Sequence, residues 1–428
     1  MAGIPIGKAF DKVKLAGLAD GLVVAVAVSL PWSTSATAIL VVVWLFVLIP
    51  TLRWADIRRE LAMPAGGLPV VLVVLGLAGM LWADLTLFER WRGADSFFKL
   101  LVIPLLFMQF RRSDRGPWVF GGYLASCAVL LIVSTVIQFF HPFSLALHPP
   151  PNVVLVKNAP TQSGEFVTCI FGMLYLASEA VERRRWLLLL GFVATILAML
   201  GSILFVATGR TALVVALVLL VLFATRKLST NGIVLVFSAA ILVGIIGWHS
   251  SPNLRERTKE IWTDLQRYEA RDTITSSGER LVFWKKSIEF IRQSPLIGHG
   301  TGSIHSSFEK SAIGQTGAAG EAVANPHNQT LAIAIQLGFA GAAVLWAMWI
   351  AHLLLFRGNG LVEWIGFVVV VQNIIGSLFN SHLFDFVQGW VYVIGVGVAG
   401  GVALRSRVTP SNRSESPTNP KTEFFEYR

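Results

Sequence analysis

Three side chains of this 428-residue chain stand out as able to do chemistry: Arg210, Arg280 and His327. Guanidinium groups hold phosphate through paired, charge-assisted hydrogen bonds. An imidazole with an ordinary pKa of about 6.5 takes up a proton near neutral pH. Arg210 lies in Thr208-Gly209-Arg210-Thr211, a very short connection between two apolar runs. An arginine at membrane depth is costly, so it faces an interior cavity, pairs with a partner or snorkels to headgroups.

Arg280 opens a different context. Between Gly278 and Ser294, the residues Leu281, Trp284, Ile288 and Ile291 recur at helical spacing and predict an apolar stripe on an amphipathic helix. Arg280 and Lys286 fall off that stripe, and Lys285 with Lys286 reads as a solvated or headgroup-facing pair. Trp284 suits either a packing anchor or a sugar platform. A turn follows from Ser294 to Gly302, in which Gly298 and Gly300 permit close backbone approach to a ligand and His299 is a weaker candidate. Then comes Asn325-Pro326-His327-Asn328, where Asn325 can cap and Pro326 can open the next helix. His327, with Asn328 beside it, is expected at the mouth of that helix, where free N–H groups and the positive dipole end favour anions. Lys157 and Glu165 offer a sugar hydrogen bond or simply a salt bridge. His382, near Asp385, reads as a structural hydrogen-bond former.

The scaffold that must position these residues is named by composition. Hydrophobic residues make up 54% and charged residues 14% of the chain, with a mean hydropathy of +0.65. Soluble domains average about 25% charged residues, so a water-soluble globule and a disordered chain are both excluded. With only Cys127 and Cys169, both in apolar runs, a disulfide scaffold is excluded too. A spanning helix needs about 20 mostly apolar residues. Runs of that kind fall at 15–30, 36–52, 66–83, 97–110, 118–140, 163–179, 186–207, 211–225, 232–249, 327–355, 361–379 and 386–404. The expected fold is therefore all-α: a polytopic membrane protein of 12 transmembrane helices, the first two joined by a tight hairpin at Pro31.

Charge orients these spans. With a cytoplasmic N-terminus, one set of segments holds 20 of the 35 Lys and Arg residues, whereas the short loops of the other side hold only Arg90, Arg92, Lys99, Lys157 and Arg210. The net charge of +10 thus reads as an orientation signal rather than a nucleic-acid surface. Both termini are expected in the cytoplasm, with the first run a retained anchor rather than a cleaved signal. The expected organisation is spans 1–9 in residues 1–249, a large helical outer loop in 250–326, spans 10–12 in 327–404 and a disordered cytoplasmic tail in 405–428. The loop carries ten basic and nine acidic residues, and so long a connection is usually functional or disordered.

Several of these pieces resemble the signature of the O-antigen ligase and polymerase superfamily. They are Arg280-x3-Trp284, Pro295-Leu296-Ile297-Gly298-x-Gly300, Pro326-His327-Asn328, Leu337-Gly338, and the Gly-Arg-Thr at 209–211. The resemblance covers roughly 205–345. It implies a large periplasmic loop and a site facing the periplasm of the bacterial inner membrane. It further implies transfer of a glycan from undecaprenyl pyrophosphate, with His327 as base and Arg210 and Arg280 on the pyrophosphate. Trp284, Asn328, Gly298, Gly300, Lys157 and Glu165 are the associated substrate-binding candidates. The reaction it implies inverts the anomeric centre and needs no metal, cofactor or nucleotide.

Within the superfamily, a lipopolysaccharide O-antigen ligase, with lipid A–core as acceptor, fits the single dominant loop best. An O-antigen polymerase commonly has two comparable loops, and a protein O-oligosaccharyltransferase has an extra C-terminal region. The alternative from another class is a secondary transporter, whose repeated halves and midplane ionisable groups are not evident in this sequence. The membrane partners expected are inner-membrane lipids and the two lipid-linked substrates, with no nucleic acid.

Overall fold

The computed structural model describes residues 12–140, 156–252, 254–256, 259 and 276–408, and every regular element among them is helical. In chain order the helices are α1 (Lys12–Ser29), α2 (Thr34–Leu48), α3 (Trp54–Leu61), α4 (Pro64–Ala78), α5 (Leu87–Phe98), α6 (Val102–Phe110), α7 (Gly116–Phe140) and α8 (Ala159–Glu182). They continue as α9 (Trp186–Phe205), α10 (Arg210–Lys227), α11 (Thr230–Ser250), α12 (Ser276–Gln293), α13 (Ser303–Ala312), α14 (Gln329–Leu355), α15 (Leu361–Gly376) and α16 (Phe386–Val408).

Among the described residues, nine helical stretches are long and apolar enough to cross a membrane. Three more apolar runs also fold as helices. Of these, α1 carries Lys12, Lys14 and Asp20, α10 carries Arg210, Arg226 and Lys227, and α15 is 16 residues long. The chain is thus a polytopic helical membrane protein. The fourth run starts earlier than its apolar residues suggest, because Thr86 and Glu89 form a capping box that begins α5 at Leu87. The break at Pro31 does form a hairpin, and Ser33 caps α2 by accepting from the Ala36 N–H. Residues 1–11, 141–155, 253, 257–258, 260–275 and 409–428 lie outside the described residues, and with them most of the expected tail and part of the long loop.

Helix α16 is buried along almost its whole length and packs on α6 and α15. Gly397, Gly400 and Gly401 make that possible, since a Cβ at each would strike Leu106, Phe107 or Phe110 of α6. Small residues at such crossings let membrane helices gain van der Waals contact. By contrast α11 is almost entirely exposed, with Val234, Leu235, Ile241 and Leu242 facing outward. A surface of that kind suits hydrocarbon, not water. Cys127 and Cys169 are buried and free.

The long-loop helices α12 and α13 form a second, smaller core against the first half of α14. Phe308 takes Phe283 and Phe290 edge-on, with ring centroids 5.7 and 5.1 Å apart. The buried face of α12 is therefore Phe283, Ser287, Phe290 and Ile291, whereas Ile288 is 45% exposed. This corrects the predicted stripe of Leu281, Trp284, Ile288 and Ile291. Ser287 is fully buried because its hydroxyl donates to the Phe283 carbonyl at 2.6 Å, so a residue that reads as polar sits inside. Lys286 is likewise no solvated cation: its Nζ donates to Ser311 Oγ at 2.9 Å and to the Ala319 carbonyl.

The glycine turn holds the backbone of α14. Gly338 breaks that helix with φ 60° and ψ −160°. The Ile335 and Gln336 carbonyls, deprived of their helical donors, accept from the His299 and Gly300 N–H groups at 2.8 and 2.9 Å. In return the Phe339 and Ala340 N–H groups donate to the Pro295 and Leu296 carbonyls at 2.7 and 3.2 Å. Gly298 (φ 68°) and Gly300 (φ 90°) are required here, since a Cβ on Gly298 would lie 2.6 Å from the Gly338 nitrogen. The close approach read from the sequence is real, and its partner in this structure is another stretch of main chain. His299 also serves structure, its Nε2 donating to the Phe290 carbonyl at 2.8 Å.

Candidate functional site

Helix α14 begins at Gln329, not at Pro326, and its N-cap is Asn328, whose Oδ1 accepts from the Leu331 N–H at 3.1 Å. Asn328 Nδ2 donates to the Leu378 carbonyl at 3.3 Å, so both ends of this predicted substrate contact are used within the fold. Asn325, expected as the cap, instead accepts from the His327 N–H at 2.8 Å and from Ser381 Oγ at 2.7 Å. The resulting bend gives His327 a φ of 56°, a left-handed conformation uncommon for a side-chain-bearing residue. Strain of this kind is retained where surroundings enforce it, and functional sites are where it concentrates.

The His327 ring stacks on Phe283 of α12, centroids 6.3 Å apart. Its Nδ1 lies 3.1 Å from Asn380 Oδ1, while Asn380 Nδ2 donates to Asp385 Oδ2 at 2.7 Å. Asn325 Nδ2 donates to the same Asn380 oxygen at 2.9 Å. An ionised carboxylate only accepts, so Asn380 turns its NH2 to Asp385 and its oxygen to His327. The proton of neutral His327 is then on Nδ1, and Nε2 keeps its lone pair. Burial lowers the His327 pKa, the Asn380 hydrogen bond raises it, and the Arg280 charge lowers it again, with a net shift below the ordinary value. Burial pushes Asp385 up to about 6, against the pull of Lys99. Lys99 itself fixes this segment, donating to the Phe384 and Asp385 carbonyls at 3.1 and 2.9 Å.

Arg280 and His327 border one cleft of about 430 Å³, with Asn380, His382 and Asp385 on its wall. Residues Thr161, Thr211 and Val387, from the first turns of α8, α10 and α16, complete it. Helix N-termini carry the positive end of the dipole, so their convergence favours an anion. Thr211 follows Arg210, the first residue of α10. Burial first, and then the nearby Arg210 charge, lower the proton affinity of Arg280 below its usual value, with Glu279 opposing. His382 lies on the cleft wall, burial lowering its pKa to about 4, and its Nδ1 has no hydrogen-bond partner among the described residues. The structural hydrogen bond expected of His382 is therefore not made by Nδ1 among the described residues.

Lys157, Glu165, Trp284, Gly298 and Gly300 are not among the residues bordering this cleft. Lys157 reaches the Leu30 carbonyl, and it is its neighbour Asn158, capping α8 through the Thr161 N–H at 2.9 Å, that borders the cleft. Glu165 is fully buried with both carboxylate oxygens unpartnered among the described residues. Gly164, not Glu165, lines the cleft. Trp284 is half-buried on α12, one position from the inward-facing Phe283, and is not among the residues bordering the cleft. Gly298 and Gly300 belong to the interlock with α14. Conversely, the sequence reading missed Asn380, and used Asp385 only as a neighbour of His382. Their signal was faint: two polar residues in the short connection before an apolar span. Among the described residues no three His, Cys, Asp or Glu side chains gather as a metal site requires.

Residues 194–346 match the family model described as O-antigen ligase, in agreement with the superfamily resemblance of the motifs. That stretch contains Arg210, Arg280 and His327 but not Asn380 or Asp385. An uncharacterized protein of Haemophilus influenzae is 23% identical over 207 residues, 47% of this chain and 50% of that protein. The chain thus spans about half the length of this curated relative.

Proposed function

We propose that this O-antigen-ligase-like membrane protein is a glycosyltransferase that moves a glycan from undecaprenyl pyrophosphate to lipid A–core at the periplasmic face of the inner membrane. The convergence of Arg280 and His327 on one cleft, beside the Arg210 turn, carries this reading. Such transfer needs the leaving pyrophosphate neutralised and the acceptor hydroxyl made more nucleophilic. Arg210 and Arg280, with the surrounding helix N-termini, supply positive charge to the pyrophosphate. His327 Nε2 takes the proton of the acceptor hydroxyl as the oxygen attacks the anomeric carbon from the side opposite the leaving group. The configuration inverts, and undecaprenyl pyrophosphate departs with the bonding electron pair. Asn380 and Asp385 orient the ring and stabilise its protonated form.

A deletion strain tests ligase against polymerase. Loss of a ligase leaves bare lipid A–core on a lipopolysaccharide gel, with polymerised glycan still on the carrier. Core bearing a single repeat would instead identify a polymerase, and unaltered lipopolysaccharide with an unaltered carrier pool would overturn both.

A further inference from the structure

A second cleft, of about 800 Å³, lies between α5 and α13. It shares the 384–385 segment with the first: Phe384 borders one cleft and Asp385 the other. That wall is fixed by the Lys99 bonds to both carbonyls and by edge-on contact of Phe384 with Phe97, centroids 5.0 Å apart. Gly302 and Gln336 of the interlock border the same cleft, and the Gly302 N–H donates to Gln336 Oε1 at 2.8 Å.

The chemistry of the two clefts differs. Here Arg92 and His305 stand with two carboxylates, Glu89 and Glu309, and the hydroxyls of Ser96 and Ser306. Carboxylates repel phosphate, whereas a mixture of acids, one guanidinium and hydroxyls, with Phe88 at the edge, suits sugar hydroxyls and ring faces. Helix α5 also carries Leu87, Phe88 and Trp91 outward, at 74%, 73% and 57% exposure. These residues open the fourth membrane-crossing stretch, Leu87–Phe110, and aromatic side chains at the end of a span sit at the membrane interface. A ligand reaching this cleft from the bilayer therefore has a sugar headgroup and apolar chains.

We infer that this second cleft seats the sugar headgroup of the acceptor glycolipid, with the donor pyrophosphate in the first cleft and the 384–385 segment between them. The inference rests on the transferase reading above. The test uses the full-length protein in nanodiscs with a polyprenyl-pyrophosphate-linked glycan and lipopolysaccharide lacking O-antigen as acceptor. Arg92→Glu and Ser306→Trp should each raise the acceptor KM about tenfold while the donor KM stays within about twofold. A photo-crosslinking residue in place of Phe88 should capture the acceptor lipid. An unchanged acceptor KM in both variants, or capture of the donor instead, would overturn the assignment. If the wild-type protein transfers no glycan, it is the transferase reading that fails.

Discussion

His327 Nδ1 and Asn380 Oδ1 lie 3.1 Å apart, and this contact decides which nitrogen of the ring is free to act. Because Asp385 accepts from the far end of the same amide, the ring is held by a relay spanning the start of α14 and the segment before α16. In the proposed mechanism Asn380 is a positioning residue that acts through His327.

Replacing it separates orientation from chemistry. Asn380→Ala should lower kcat by about tenfold to a hundredfold with little change in KM, less than the loss of about 10²- to 10⁴-fold from removing a general base outright, as in His327→Ala. The Asn380 bond raises the His327 pKa, so the variant's acid limb should also move to lower pH. A residue that only kept the fold intact would lower the active fraction and leave the limb in place.

The pH profile of kcat/KM is a second test. In the proposed mechanism His327 must be neutral to act as base, and burial holds its pKa below the ordinary value. Activity should therefore persist as pH falls through about 6.5 and fail only below it. Asp385, held at about 6, takes up a proton over a neighbouring range and stops acting as a pure acceptor for Asn380. The limb should be steeper than a single proton allows, and Asp385→Asn should return it to one-proton steepness.

The facing of α12 makes a prediction about stability. Phe283→Ala removes a ring that is 2% exposed and packed on Phe308, at a cost of about 3–5 kcal/mol. Ile288→Ala, at 45% exposure, should cost about 0.5 kcal/mol or less. Chemical denaturation of the detergent-solubilised protein distinguishes them, and equal losses would restore the stripe read from sequence.

Gly338→Ala tests the interlock. A side chain at that φ is strained by about 1–3 kcal/mol and would also displace the Leu296–Ile297 backbone. Gly314→Ala, at φ 75° with nothing within 4 Å, carries the strain alone. The melting temperature should fall clearly further for Gly338→Ala than for Gly314→Ala. Equal shifts would mean that backbone contact contributes nothing.

The apolar spans were legible because hydrocarbon imposes length and composition on every crossing helix, and the paired appearance of Arg280 and His327 followed from motif order. What escaped the sequence reading depended on long-range partners. Ser287 hid the true face of α12, since a serine bonded to its own helix reads as polar. Two asparagines, Asn325 and Asn328, were equally able to cap, and the Ser381 hydroxyl drew Asn325 away. The glycines of the turn announced a close approach without saying what approached. Asn380 stands 53 residues from His327 along the chain, and no local pattern joins them.

The reciprocal bonding of residues 295–300 with 335–340 also bears on modularity. Four main-chain groups of the tenth span, the carbonyls of Ile335 and Gln336 and the N–H groups of Phe339 and Ala340, find partners in the long loop. Excising that loop, or grafting a foreign one lacking the turn, would leave those four groups orphaned in a membrane helix, each at several kcal/mol. The smallest unit that can be exchanged between related proteins is therefore the loop together with its following span, inherited as one piece.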